Sequence, residues 1–313
     1  MQLSRANDTT SAVVAALLLG AALLLPQRAS ATAIADVAYR TNFGERLTAS
    51  LYLNGQGPFE FLIDTASTRT ILYEHVRARI GIAPSGTQEI TVHGVTGTAI
   101  SPPYPIAELK IGGARIENLT VAVLQDPSAS AQEPDGVLGI DVLARFVVQI
   151  DHATEHLQLY EPESAPRENF AEWPSARLTP ERPGSATSDL WFFDTRFAFA
   201  HIKSLLDLGS GITILNWPAA RLLVRTEDLP SRSSDKVRDA LGKSTPAFLL
   251  VGMNVRIGGR GWEKQSALVA DTRIFDLLGL AQRPAAIIGT DVLARQSIVI
   301  DFPGRRLYIE PAP

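Results

Sequence analysis

No cysteine occurs anywhere in the 313 residues, which excludes disulfides, thiol nucleophiles and cysteine-based metal sites together. Long runs of one charge are also missing. The 29 basic and 33 acidic residues are interspersed and leave a formal net charge of −4, so there is no basic stripe for nucleic acid and no polybasic membrane anchor. HExxH does not occur, and "GSG" at 209–211 lacks the outer spacing of a GxSxG serine elbow. His152 and His156 in "DHATEH" are four apart but follow a strand-like run, so they read as a surface turn and no metal site is expected. The two "IGG" triplets lack the spacing of a dinucleotide loop and read as hairpin turns.

One long apolar run is present. Arg5 precedes "AVVAALLLGAALLL" at 12–25, then Pro26 and "ASA" at 29–31, the small-x-small form of a signal-peptidase site. Residues 1–31 are therefore expected to be a signal peptide, with the mature chain exported to a periplasm or secreted and starting near Thr32. The alternative is an uncleaved anchor, for which the run is short. Residues 32–46 are too few for a long propeptide, and no large zymogen segment is expected.

The rest of the chain repeats itself. "DVLARFVVQID" at 141–151 matches "DVLARQSIVID" at 291–301 in seven of eleven positions, and "LKIGGARIENLTVAVL" at 109–124 corresponds to "VRIGGRGWEKQSALVA" at 255–270. Earlier still, "FLIDTAST" at 61–68 corresponds to "SLLDLGSG" at 204–211. The order of features is kept while spacings drift, which is the mark of tandem duplication. Alternation by two around Asn54-Gly55 predicts a hairpin whose second arm becomes continuously apolar towards Asp64, as in a strand buried on both faces. Short helices are expected to begin after Asp141 and Asp291, with these aspartates near the N-caps. Asp151 and Asp301 read as turn residues, and Trp191, Phe192 and Phe193 as core. The segment 163–188, rich in Pro, Ser and charge, reads as a linker between lobes at 32–162 and 189–313. The expected fold class is all-β: two pseudo-symmetric β-barrel lobes with few short helices.

Asp64 and Asp207 each stand between an apolar run and a small-residue turn. An ionised carboxylate is costly to desolvate, so each needs a partner, and the repeat offers each the other. Two facing carboxylates share one proton and titrate in two separated steps, holding an acid and a base in one place. A water between them can be deprotonated by one as it attacks a carbonyl while the other hydrogen-bonds the developing oxyanion, with no metal or other cofactor.

Apolar-apolar-Asp-Thr/Ser-Gly-Ser/Ala followed by apolar-apolar-Gly-x-Asp resembles the aspartic peptidases of the pepsin-like and retropepsin-like families. Here the halves read "FLIDTAST" with "GVLGIDVL" and "LLDLGSG" with "AIIGTDVL", and the resemblance spans about 45–311. It implies acid-protease-like lobes with a cleft between them, Asp64 and Asp207 as the catalytic pair, and an extended peptide or protein substrate cut by a monomer. It also implies that Ser67 and Ser210 support the aspartates with their hydroxyls, that Thr65 bonds across the lobes, and that the small Gly209 admits a neighbouring backbone. The stretch His93, Gly94, Val95, Thr96 and Gly97 would be a flap over the substrate. Two positions depart from the family: Ala66 replaces the usual Gly, and Leu208 replaces a Thr or Ser. They leave as an alternative a catalytically silent scaffold that binds peptides or partners.

Overall fold

The computed structural model describes residues 32–41, 44–93, 98–127, 133–184, 186, 188–225, 234–238 and 244–312. The signal-peptide reading of residues 1–31 falls outside them. No helix among the described residues is long and apolar enough to cross a membrane.

The first half comprises β1 (Ala35–Thr41), β2 (Leu47–Leu53), β3 (Gln56–Ile63), β4 (Ile71–Tyr73), α1 (Glu74–Ile80), β5 (Ile90–His93) and β6 (Thr98–Ser101). It continues with β7 (Tyr104–Ile111), β8 (Ala114–Leu124), β9 (Gly136–Leu138), α2 (Ile140–Leu143), β10 (Val147–Asp151) and β11 (His156–Tyr160). Asn54 and Gly55 both take positive φ (49° and 75°) in the β2–β3 turn, the twist-matched geometry that the Asn-Gly pair predicts. Strands pair in the order β2-β3-β9-β4-β8-β7, and β7 returns to β2, closing a barrel. β3 lies parallel to β9, and its burial becomes unbroken over Phe61, Leu62 and Ile63, as a strand covered on both faces requires.

The second half repeats this plan. It contains β12 (Ser175–Arg177), β13 (Thr179–Glu181), β14 (Leu190–Phe197), β15 (Ala200–Leu206), β16 (Ile214–Leu215), α3 (Trp217–Leu223), β17 (Ser234–Arg238) and β18 (Ser244–Ile257). It ends with β19 (Arg260–Val269), α4 (Arg273–Leu277), β20 (Ala285–Ile288), α5 (Thr290–Leu293), β21 (Ile298–Asp301) and β22 (Arg306–Ile309). Strands run β14-β15-β20-β16-β19-β18, with β14 also paired to β18, and β15 is parallel to β20 as β3 is to β9. Both IGG turns join hairpins, β7–β8 and β18–β19, with Gly112 and Gly258 in the left-handed region. Trp191, Phe192 and Phe193 are core residues, as expected.

The duplicated peptide itself forms the seam. β10 pairs antiparallel with β21, and Gln149 stands opposite Val299. These two residues occupy the same position in "DVLARFVVQID" and "DVLARQSIVID", so the pseudo-two-fold axis passes between them. Val148, Ile150, Ile298 and Ile300 are fully buried there, each worth about 1.5–3 kcal/mol of burial. The wider sheet runs β12-β22-β21-β10-β11-β1 and draws strands from both halves.

The segment expected to be a linker does join the halves, but it is structured. β12 edges the seam sheet on β22, and β13 edges the second barrel on β14. Arg167 forks onto the buried Asp301, Nε to Oδ2 at 2.6 Å and Nη2 to Oδ1 at 3.0 Å, the bidentate geometry that guanidinium favours. Asp301 also accepts the Gly304 amide at 2.7 Å, and Asp151 accepts those of Ala153 and Thr154, so both keep the expected turn role.

Candidate active site

β3 and β15 each deliver an aspartate at their C-terminal ends. The Asp64 amide donates to the Leu138 carbonyl at 3.1 Å and the Asp207 amide to that of Ile288 at 3.1 Å. Three residues later the loops are clamped again, Ile140 N to Ser67 O at 2.9 Å and Thr290 N to Ser210 O at 2.8 Å. Gly139 and Gly289 make this possible. A Cβ would lie 2.4 Å from the Arg69 carbonyl carbon at the first and 2.7 Å from the Ser210 oxygen at the second. Only glycine lets the loop cross so closely.

Asp141 and Asp291 follow in the first turns of α2 and α5, whose N-caps are Gly139 and Gly289. The expected position near the caps is right, but capping is not their main use. Their carboxylates reach sideways to the aspartate loops, taking the Thr70 hydroxyl at 2.8 Å and the Thr213 hydroxyl at 2.9 Å. Thr70 Oγ1 and Thr213 Oγ1 in turn accept the Gly139 and Gly289 amides at 3.2 and 3.3 Å. Burial raises the pKa of both aspartates above the ordinary carboxylate range. The sequence reading missed Thr70 and Thr213, although a Thr six residues past each of Asp64 and Asp207 was a visible repeat.

The two loops meet at the seam. The Asp64 carboxylate packs against Gly209, where a Cβ would stand 2.4 Å from Cγ and 2.6 and 2.7 Å from the two oxygens. Gly209 N donates to Asp207 Oδ1 at 2.8 Å, so one turn carries one acid and touches the other. Thr65 bridges the lobes: its hydroxyl donates to the Leu206 carbonyl at 2.9 Å and accepts the Leu208 amide at 3.0 Å. Leu208 has no hydroxyl to return the bond, yet its amide still holds this half of the grip. Ala66 is absent from the left-handed φ region, so its methyl costs no backbone strain there.

The serines act differently from expectation. Ser67 Oγ donates to the Arg69 carbonyl at 2.8 Å and Ser210 Oγ to that of Ile212 at 2.7 Å. Their amides do the supporting: Asp64 Oδ1 accepts Ala66 N at 2.8 Å and Ser67 N at 2.9 Å, while Gly209 and Ser210 amides favour the charged form of Asp207. The two acids are unequal. Asp207 is 2% exposed, and burial, followed by the neighbouring Asp64 charge, pushes its pKa well above the usual range. Burial also raises Asp64, opposed by its two amide donors and by the positive charge of Arg46. Burial thus raises both members, as expected of two carboxyls that share one proton and titrate as a pair.

Of the expected flap, His93 closes β5, which pairs with β6 in a two-stranded hairpin running from Ile90 opposite Ser101 to His93 opposite Thr98. Gly94, Val95, Thr96 and Gly97 lie outside the described residues. On this hairpin Val92 is buried and Ile100 is exposed.

Thr65→Val keeps the shape of a fully buried side chain but strands a buried amide and a buried carbonyl from the opposite lobe. Each such group costs about 1–3 kcal/mol, so urea unfolding should show a loss of about 2 kcal/mol or more, largely recovered in Thr65→Ser. An unchanged midpoint would show that the bridge holds nothing.

In sequence, residues 49–142 match the family described as "Aspartyl protease". That segment runs from β2 through the first aspartate loop into α2. No match is found among curated proteins. In fold, the chain is similar to the aspartic proteinase from Irpex lacteus, with 14% sequence identity, a TM-score of 0.57, and coverage of 88% of this chain and 97% of that one. The fold is thus the two-lobed, mainly β architecture of pepsin-like proteinases.

Proposed function

We propose that this chain is an aspartic peptidase of the pepsin and retropepsin type, a reading supported by its fold and by the family match of its first lobe, and that it hydrolyses peptide bonds with a water activated between Asp64 and Asp207. The carrying observation is the packing of the Asp64 carboxylate onto Gly209, whose amide holds Asp207. Asp64, ionised, takes a proton from water as its oxygen bonds to the scissile carbonyl carbon. Asp207, protonated, donates to the carbonyl oxygen, giving a neutral tetrahedral diol. Collapse returns a hydroxyl proton to Asp207, the proton on Asp64 passes to the leaving nitrogen, and the C–N bond breaks. An extended substrate would lie along the cleft by main-chain bonding, the strand-addition mode.

The pH dependence follows from the two raised pKa values. Cleavage should fall on the acid side as the pair takes up a second proton and on the alkaline side as it loses the shared one. Because both shifts are upward, the bell should be displaced towards neutrality relative to a pair of ordinary carboxyls. Peptide cleavage across about pH 3–8, a span bracketing carboxylate values, tests this, with a statine-type inhibitor as a probe of the assembled pair. Folded protein that neither cuts nor binds statine at any pH would end the proposal.

Export belongs to the same proposal. The unit that carries both lobes begins at Thr32, the residue that cleavage after Ala31 would make the N-terminus. N-terminal determination on protein recovered from outside the cytoplasm should read Thr-Ala-Ile; a chain still beginning near Met1 would mean an anchor.

A further inference from the structure

Beyond the paired aspartates, one hydrogen-bonded step leads to a pocket of about 350 Å³. The Ser67 amide lies on Asp64 and the Ser67 hydroxyl on the Arg69 carbonyl, and Thr68 and Arg69 form one wall of this pocket. Ile90 and Thr91 of the β5 hairpin arm form another, and Thr120 of β8 lies at its side. The walls thus come from the loop carrying Asp64 and from the hairpin arm beside it.

Arg69 is the cation of this pocket. It is half-buried, yet its guanidinium makes only one hydrogen bond among the described residues, Nη1 to the Thr120 carbonyl at a long 3.4 Å. No carboxylate of the described residues lies within ion-pair distance of it. A guanidinium has five donors in a planar fork suited to a carboxylate, so most of this group's hydrogen-bonding capacity is unused among the described residues, although its charge also favours ionised Asp141. Glu89 also lines the pocket but is exposed, and it forms no ion pair with Arg69. Thr68, Thr91 and Thr120 also line the pocket.

We infer that Arg69 is a specificity-determining residue that binds a carboxylate of the peptide, from a Glu or Asp side chain, at a position flanking the scissile bond. This rests on the peptidase reading of the cleft, and it assigns that cleft a preference for acidic peptides. Glu89 opposes the preference by its charge and sets its size.

The test uses the mature chain and peptides carrying a single Glu, Gln or Lys moved through each position in turn. At one flanking position the ratio of kcat/KM for Glu over Gln should reach about tenfold, the value of a charge-assisted bond. The ratio should collapse towards one in Arg69→Gln, survive in part in Arg69→Lys, and invert in favour of Lys in Arg69→Glu. Glu89→Gln should increase it. The same ratios are read as Kd by fluorescence anisotropy with Asp64→Asn, which separates recognition from turnover. Cleavage with no Glu preference at any position, or a preference unchanged in Arg69→Gln, overturns this inference and leaves the peptidase reading standing. Binding with the predicted preference but without cleavage upholds the inference and sinks the peptidase reading. Failure to bind any peptide removes both.

Discussion

Asp64→Asn and Asp207→Asn should each lower kcat by about a thousandfold or more, because under the proposed mechanism either leaves half of an acid–base pair that also stabilises the oxyanion. The two variants should remain folded. Asp64 Oδ1 accepts two amides and Asp207 Oδ1 accepts one, and an asparagine carbonyl can accept the same bonds. Stability should in fact rise in Asp207→Asn at neutral pH. The folded-state pKa of Asp207 lies above its unfolded value, so its contribution is fully present below the unfolded pKa and is lost as pH rises through the folded one. Asparagine has no charge to desolvate and escapes that loss. Thermal melts should therefore show a gain over the parent near pH 7 that vanishes below about pH 3, under the ordinary carboxylate range. A variant that keeps the parental rate would refute the shared-proton mechanism. A variant destabilised at neutral pH would mean that Asp207 is charged in the fold.

Gly209→Ala should damage activity out of proportion to its single methyl. Its Cβ would fall 2.4 Å from Cγ of Asp64, with the Asp207 turn immediately behind it, so relief requires the two lobes' loops to move apart. Overpacking of this kind costs about 1–3 kcal/mol, and displacing a reacting group by about an ångström costs on the order of a hundredfold in rate. Ala66→Gly, at the duplicated position, is the control. It removes a methyl from a residue with no left-handed φ and should cost only about 0.5–1 kcal/mol through chain entropy, with the rate kept. Equal rates for Gly209→Ala and the parent would mean that Asp64 is not held where the packing puts it.

The same pair of positions shows why the family motif was only partly legible. Read as a string, Ala66 and Leu208 look like two losses from one motif. In the fold they are unequal and mild: Leu208 contributes its amide to Thr65 regardless of its side chain, and the close approach that demands glycine is at 209. A backbone donor has no signature in the residue letter. The serines were misread for the same reason, since their amides, not their hydroxyls, lie on Asp64 and favour charged Asp207.

What the sequence determined by itself was the all-β class, the main hairpins, the duplication and the two aspartates that the repeat sets against each other. These are carried by local alternation, by turn residues such as Asn54-Gly55, and by a peptide written twice, none of which needs distant contacts. Only the tertiary structure decided the rest. It turned a Pro-rich connector into two edge strands pinned by Arg167 on Asp301, bound Thr70 to Asp141 and Thr213 to Asp291, and aimed Arg69 at a pocket. Those pairings join residues far apart along the chain, and their energy comes from burial and geometry that exist only once both barrels have closed.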